Sequence, residues 1–117
     1  MEINEKFLPL GTLVLLKNAK EKIMIIGYLT SNGNKTDIVY DYQGCVFPYG
    51  LYTNEVSFVF NHSDIDKIYY MGYSDNDFKA LNTKLIDFEK KYISDDRKLS
   101  KSIADITFLE RKVNDGK

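Results

Sequence analysis

The sequence predicts an α+β fold: a small antiparallel β-barrel or curled sheet of five to six short strands, followed by a C-terminal amphipathic helix or helical hairpin. Three observations carry that expectation. Short apolar, β-branched runs separated by close turns fill the first part of the chain, with no long helical pattern between them. The hydrophobic period changes near Tyr73 from strand-like to helix-like. The length, 117 residues, is one domain's worth, enough to hide about two-thirds of the unfolded surface without staples. The expected organisation is a single domain over 1–117, with a β-rich core over 8–73 and a helical segment over 74–117.

Pro9 and Gly11 lead in through a turn, and Thr12-Leu13-Val14-Leu15-Leu16 reads as the first strand. Asn18-Ala19-Lys20-Glu21 makes a tight connection to Lys22-Ile23-Met24-Ile25-Ile26-Gly27-Tyr28-Leu29, whose β-branched content favours strand over helix. Asn32-Gly33 supplies the positive φ angles of a hairpin turn, and the chain returns as a strand over 36–42. Gly44 and the Pro48-Tyr49-Gly50 turn interrupt the pattern, leaving Cys45-Val46-Phe47 as a short edge strand or bridging loop. Val56, Phe58 and Phe60 then alternate with Glu55, Ser57 and Val59, the period of a strand with one buried face. Asn61-His62-Ser63-Asp64-Ile65-Asp66 reads as a single helical turn capped by Asn61 or Ser63, and Ile68-Tyr69-Tyr70-Met71 resumes strand character before Gly72.

Ser74 and Asp77 have capping-box spacing for the helix that follows. Phe78, Leu81, Leu85, Phe88 and Tyr92 recur at helical spacing as one narrow apolar stripe, while Asn82, Lys84, Asp87, Lys90 and Lys91 fall on the exposed side. Ser94-Asp95-Asp96-Arg97 breaks the stripe and caps a second helix through Leu99, Ile103, Ile106 and Val113; alternatively, Asp105-Ile106-Thr107-Phe108 adds an edge strand. Both faces of Leu13–Leu16 and Ile23–Ile26 are apolar, so a helix is expected over one side of the sheet.

Sixteen basic and seventeen acidic residues leave a net charge of −1, which excludes a global field drawing the chain to nucleic acid or an acidic membrane. The single cysteine, Cys45, excludes an internal disulfide framework and points to a reducing compartment. No leader-like or membrane-spanning run is visible, so a cytoplasmic protein without membrane insertion is expected.

The residues offer little chemistry. His62 beside Asp64 has the makings of a general base or metal ligand, yet one histidine and one distant cysteine do not supply the three or four ligands of a zinc site. No metal site and no cofactor is expected. Cys45 would serve as a nucleophile only if the fold brought His62 to it; a buried apolar role is the simpler reading. No catalytic residue is assigned. The composition departs from average in its rings: eleven of sixteen aromatics lie between Tyr28 and Tyr73. Exposed tyrosines serve protein interfaces, or stack on single-stranded nucleic acid where a positive groove accompanies them. Between Ile23 and Phe78 the basic residues are Lys35 and Lys67, against Asp37, Asp41, Glu55, Asp64, Asp66, Asp75 and Asp77, so a protein partner is favoured over nucleic acid. The expected contact residues are Tyr42, Phe47, Tyr49, Tyr52 and Tyr70, with the amphipathic helix as a second surface.

The ordered set Leu8-Pro9-Leu10-Gly11, Ile23-Met24-Ile25-Ile26-Gly27, Tyr40-Asp41-Tyr42 with Gly44, Pro48 with Gly50, Phe60-Asn61-His62 with Asp64-Ile65, and Gly72-Tyr73 resembles a family of small bacterial proteins of unknown function. These are encoded beside LXG-type polymorphic toxins in type VII secretion loci of Gram-positive bacteria. The resemblance implies a cytoplasmic accessory or chaperone-like protein that binds a cognate toxin, or another product of the locus, before export. On that reading Pro9, Gly11, Gly27, Gly44, Pro48 and Gly50 serve turns, and Asp41, Asn61, His62 and Asp64 form a structural corner. Two alternatives stand beside it. One is an immunity protein whose acidic loops around Asp37, Asp41 and Glu55 mimic a nucleic-acid substrate of the toxin. The other is a small barrel binding a different ligand.

Overall fold

Leu13–Leu16 forms strand β1 and Lys22–Thr30 forms β2, joined by a tight turn in which Ala19 N–H donates to the Leu16 carbonyl. The structure is a computed structural model that describes residues 6–31, 38–53 and 56–98. Further strands are β3 (Tyr40–Val46), β4 (Ser57–Phe60) and β5 (Ile65–Tyr70), and the helix α1 spans Asn76–Tyr92. A single 3-10 turn, His62–Asp64, separates β4 from β5. The Asn32-Gly33 turn, and the helix or strand expected after Lys98, lie outside the described residues.

The five strands form one antiparallel sheet in the order β4-β3-β2-β1-β5. Strands β1 to β4 therefore follow one another as a meander, and β5 returns to the far side of β1. That connection dictates the shape. Phe60 and Ile65 are five peptide units apart and reach at most about 18 Å when extended, less with a 3-10 turn between them. The outer strands of a flat five-stranded sheet would stand about 19 Å apart. The sheet must curl, yet β4 and β5 do not pair, so it is an open curled sheet of five strands and not a closed barrel.

The core lies on the concave face. Val14 from β1, Ile23 and Ile25 from β2, Tyr42 from β3 and Phe60 from β4 point into it, closed over by Phe7, Leu8 and Leu85. Alternation along each strand explains the set, because inward residues recur with period two. Strand β3 corrects the sequence reading. It is not broken at Gly44 but passes through it, so Cys45 and Val46 continue a central strand and are not an edge piece. A Cβ at Gly44 would lie 2.6 Å from the Ile23 Cγ2 methyl, 2.9 Å from the Met24 carbonyl oxygen and 3.0 Å from the Phe60 ring. The glycine there is a packing requirement, not a turn.

Helix α1 is capped by Asp75, whose carboxylate accepts the Phe78 N–H at 3.0 Å, one residue later than the expected Ser74 cap. Its buried stripe includes Leu81, Leu85 and Ile86, together with Asn82, which the periodicity placed on the exposed side. Gly72 lets β5 pass against the lead-in segment: its N–H donates to Thr12 Oγ1 at 2.9 Å, and a Cβ there would fall 2.1 Å from the Leu10 carbonyl oxygen.

Candidate functional site

Tyr42 organises the interior. It is fully buried at the middle of β3, opposite Tyr28 on β2 and Phe60 on β4. Its ring packs against Phe60 at 5.4 Å and edge-on against Phe7 at 6.0 Å. Its hydroxyl accepts the Leu8 N–H at 3.0 Å and lies 2.8 Å from His62 Nδ1. The phenol thus joins the Leu8 backbone to the His62 ring through one hydroxyl. Burial pushes the Tyr42 phenol well above its ordinary range; the Leu8 N–H opposes that shift, and the nearby Asp41 charge and Tyr28 add to it. Burial also raises the Tyr28 phenol, whose hydroxyl donates to the Leu8 carbonyl at 2.6 Å.

Two tyrosines thus hold both backbone groups of Leu8, while Asn82 Oδ1 on α1 accepts the neighbouring Phe7 N–H at 3.0 Å. Gly11 and Thr12 bond to Ile25 of β2 through their backbones, whereas at Phe7 and Leu8 these side chains satisfy groups that would otherwise be orphaned in the core. Thr12 completes the pinning by donating to the Pro9 carbonyl at 2.7 Å.

Asp41, adjacent in β3, is only 5% exposed. One carboxylate oxygen meets Arg97 Nη2 at 2.7 Å and Lys6 Nζ at 3.7 Å, and the other accepts the His62 N–H at 2.9 Å. Asp41 N–H donates to Asn61 Oδ1 at 3.0 Å, and Asn61 N–H donates to the Asp64 carboxylate at 2.8 Å. Glu89 joins the cluster from α1, bound by Lys6 Nζ at 2.7 Å and by Arg97. Burial alone would raise the Glu89 carboxyl, but the hydrogen bonds and charges of Lys6 and Arg97 outweigh it and hold the group below the usual carboxylate range. Arg97 Nε also donates to the Val39 carbonyl at 3.1 Å.

The expected corner of Asp41, Asn61, His62 and Asp64 is therefore assembled by the fold, and it is wired into an ion cluster that the sequence did not announce. The turn glycines have separate duties. Gly11 and Gly50 adopt φ of +86° and +77°, with N–H groups donating to the Ile25 and Val46 carbonyls. Gly27 is not the expected turn residue: it lies within β2 at the irregularity against β3, close to the Gln43 side chain, and the Phe47–Pro48 peptide is cis.

The expected contact residues divide. Tyr42 is a core residue and drops out of any exposed face. Phe47, Tyr49, Tyr52 and Tyr70 are exposed, Tyr49 by 73% and Tyr52 by 70%, and Leu51 lies exposed among the loop residues. Tyr70 stands apart from the loop on β5, beside exposed Ile68, Tyr69 and Met71. The fold also changes the local charge, because Lys22, just outside the acidic stretch, places its ammonium 5.5 Å over the Tyr69 ring, and Lys67 lies 5.4 Å over the same ring. Asp41 is committed to the ion cluster and does not belong to an exposed acidic loop; Asp37 and Glu55 lie outside the described residues.

Cys45 is buried between Met24 and Ser57 on the flanking strands, and burial pushes its thiol up, away from the thiolate. Among the described residues no group of three or more His, Cys, Asp and Glu is arranged to hold a metal ion, and no helix is long and apolar enough to cross a membrane.

Phe7, Tyr28, Asn82 and Arg97, with Leu8, carry the interior network, a role that was not read for them from sequence. A family model for a domain of unknown function, DUF4176, matches residues 7–81, which takes in all five strands and the first turns of α1. No curated protein and no solved structure matches the chain.

Proposed function

We propose, from the premise that the chain belongs to the DUF4176 family, that this protein is a non-enzymatic accessory factor that works by binding another protein. The observation that carries the reading is the loop after β3. There Phe47, Tyr49, Leu51 and Tyr52 follow one another on the surface, although the same chain buries Tyr42 and supplies its hydroxyl with partners. Large rings held at the surface offer contact area at low entropic cost, the property that enriches tyrosine at binding hot spots. The polar groups nearest to a chemical constellation are, by contrast, engaged with one another: His62 with Tyr42, and Asp41 with Arg97 and Asn61.

In this reading the partner is a cognate LXG-type toxin bound before type VII secretion, the context implied by the sequence resemblance. Co-expression with the LXG toxin of the same locus, followed by size-exclusion chromatography, tests it. A stable complex is expected, and replacing Tyr49 and Tyr52 by Ala should weaken it by about tenfold or more without lowering the melting temperature. Absence of any complex sinks the reading. Truncated toxins locate the contact: binding to the N-terminal secretion domain supports an accessory role, whereas binding to the catalytic C-terminal domain replaces it with immunity.

A further inference from the structure

Along β5 an exposed apolar ridge coincides with a strand edge. Among the described residues, β5 has a strand neighbour on one side only, β1, and its register with β1 is regular at Lys67 and Ile68 but shifts on either side, leaving Asp66 and Tyr69 outside the pairing. Ile68 is 41% exposed, and Tyr69, Tyr70, Met71 and Tyr73 are exposed with it. Leu10 joins the ridge, because Gly72 packs directly against its carbonyl. A row of backbone N–H and C=O groups with an apolar flank is a template for a further strand.

The charges on β5 indicate which strand. When two identical strands pair antiparallel about a two-fold axis normal to the sheet, one residue faces its own copy, and the residue before it faces the residue after. Centring the axis on Asp66 would oppose two carboxylates, and centring it on Lys67 would oppose two ammonium groups; both are destabilising. Centring it on Ile68 sets isoleucine against isoleucine in the regular part of the strand and brings Lys67 toward the second copy's Tyr69, which bulges out of register with β1. That pairing repeats between chains a contact made within each chain, where the Lys67 ammonium already lies over the Tyr69 ring. We propose that β5 pairs with β5 of a second copy of this chain in the register centred on Ile68, joining the two curled sheets into one.

Sedimentation velocity of the full chain from low micromolar to several hundred micromolar tests this, with the mass of two chains expected at the upper end. Ile68→Lys and Ile68→Asp should each sediment as a folded monomer, because each places like charges across the axis. Mixed in equal amounts they should associate again, Lys against Asp. A wild-type chain that stays monomeric overturns the proposal, as would follow if the C-terminal segment or a strand of the toxin occupies the edge. A mixture that stays monomeric overturns it too. A second measurement does not depend on those variants folding alone: Ile68→Cys should form a disulfide across the axis under mild oxidation, since directly opposed residues have Cα atoms about 4.5–5.5 Å apart. Lys67→Cys should not, and buried Cys45 does not compete. Failure to link at position 68 overturns the register. Tyr49→Ala and Tyr52→Ala should leave the dimer intact, so the loop and the edge are judged separately.

Discussion

Tyr42 and Tyr49 are the same residue type in neighbouring elements, and the fold uses them in opposite ways. Tyr42 is fully enclosed, with a backbone donor and an imidazole on its hydroxyl, whereas Tyr49 stands 73% exposed in the turn that follows the strand. The difference teaches that aromatic surplus in a small domain has to be divided by asking where each hydroxyl finds its partners. A buried phenol without them would cost more than its ring returns. The inner tyrosines are fasteners for the lead-in segment, and the outer ones are free to meet something else.

The contrast is broken most severely at the centre. Tyr42→Ala should cost about 3–5 kcal/mol of folding stability, as expected for emptying a ring-sized site, and chemical denaturation measures it. Tyr42→Phe isolates the hydroxyl: the ring contacts survive, but the Leu8 N–H and His62 Nδ1 lose their partner, an expected loss of about 1–3 kcal/mol. A phenylalanine variant as stable as the parent would show that the fastening is done by packing alone.

Titration sharpens the comparison further. Glu89 has its native carboxyl lowered, so its stabilisation is present above the ordinary carboxylate range and is lost as pH falls through the lowered native value. Tyr28 and Tyr42 have their native phenols raised, so their contribution is present below about pH 10 and falls as pH climbs from there toward the native values. Denaturation midpoints against pH should therefore fall at both ends. Glu89→Gln should flatten the acid limb, and Tyr42→Phe should reduce the alkaline one. The smallest effect belongs to the outer tyrosines: Tyr49→Ala and Tyr52→Ala should change stability by no more than about 0.5 kcal/mol. A larger loss at either would move that ring into the core and remove it from the proposed contact surface.

Much of the fold was legible because its signals are local. The runs that became β1 and β2, the helical turn at His62 and the stripe of α1 are all written in the spacing of neighbours; the alternation before Asn61 located β4 but not its buried face, since Phe60 is buried and Phe58 is exposed. Strand β3 was misread because Gly44 looks like punctuation in a sequence, while its actual reason lies in Ile23, Met24 and Phe60, two other strands away from view. The open sheet in place of a barrel depends on whether β4 meets β5, which no local pattern records. Asn82 was detectable in principle: it stands four residues after Phe78 and three before Leu85, a polar group inside the apolar stripe, and such a position asks for a buried partner. Arg97 gave no such signal, since its partners come from two distant stretches of chain, Val39 and Asp41 around the start of β3 and Glu89 on α1.

Residues 7–81 are what the chain has in common with its family. Yet Asp41, inside that stretch, is neutralised by Lys6 before it and Arg97 after it, and Arg97 is held in turn by Glu89. A chain trimmed to the shared limits would keep the acid and lose every cation that attends it. Stranding a buried charge in this way costs about 3–5 kcal/mol, a large part of what a domain of this size has to spare. The stretch that the family model matches is thus smaller than the unit that satisfies Asp41, and residues on both sides of it secure this chain's buried acid.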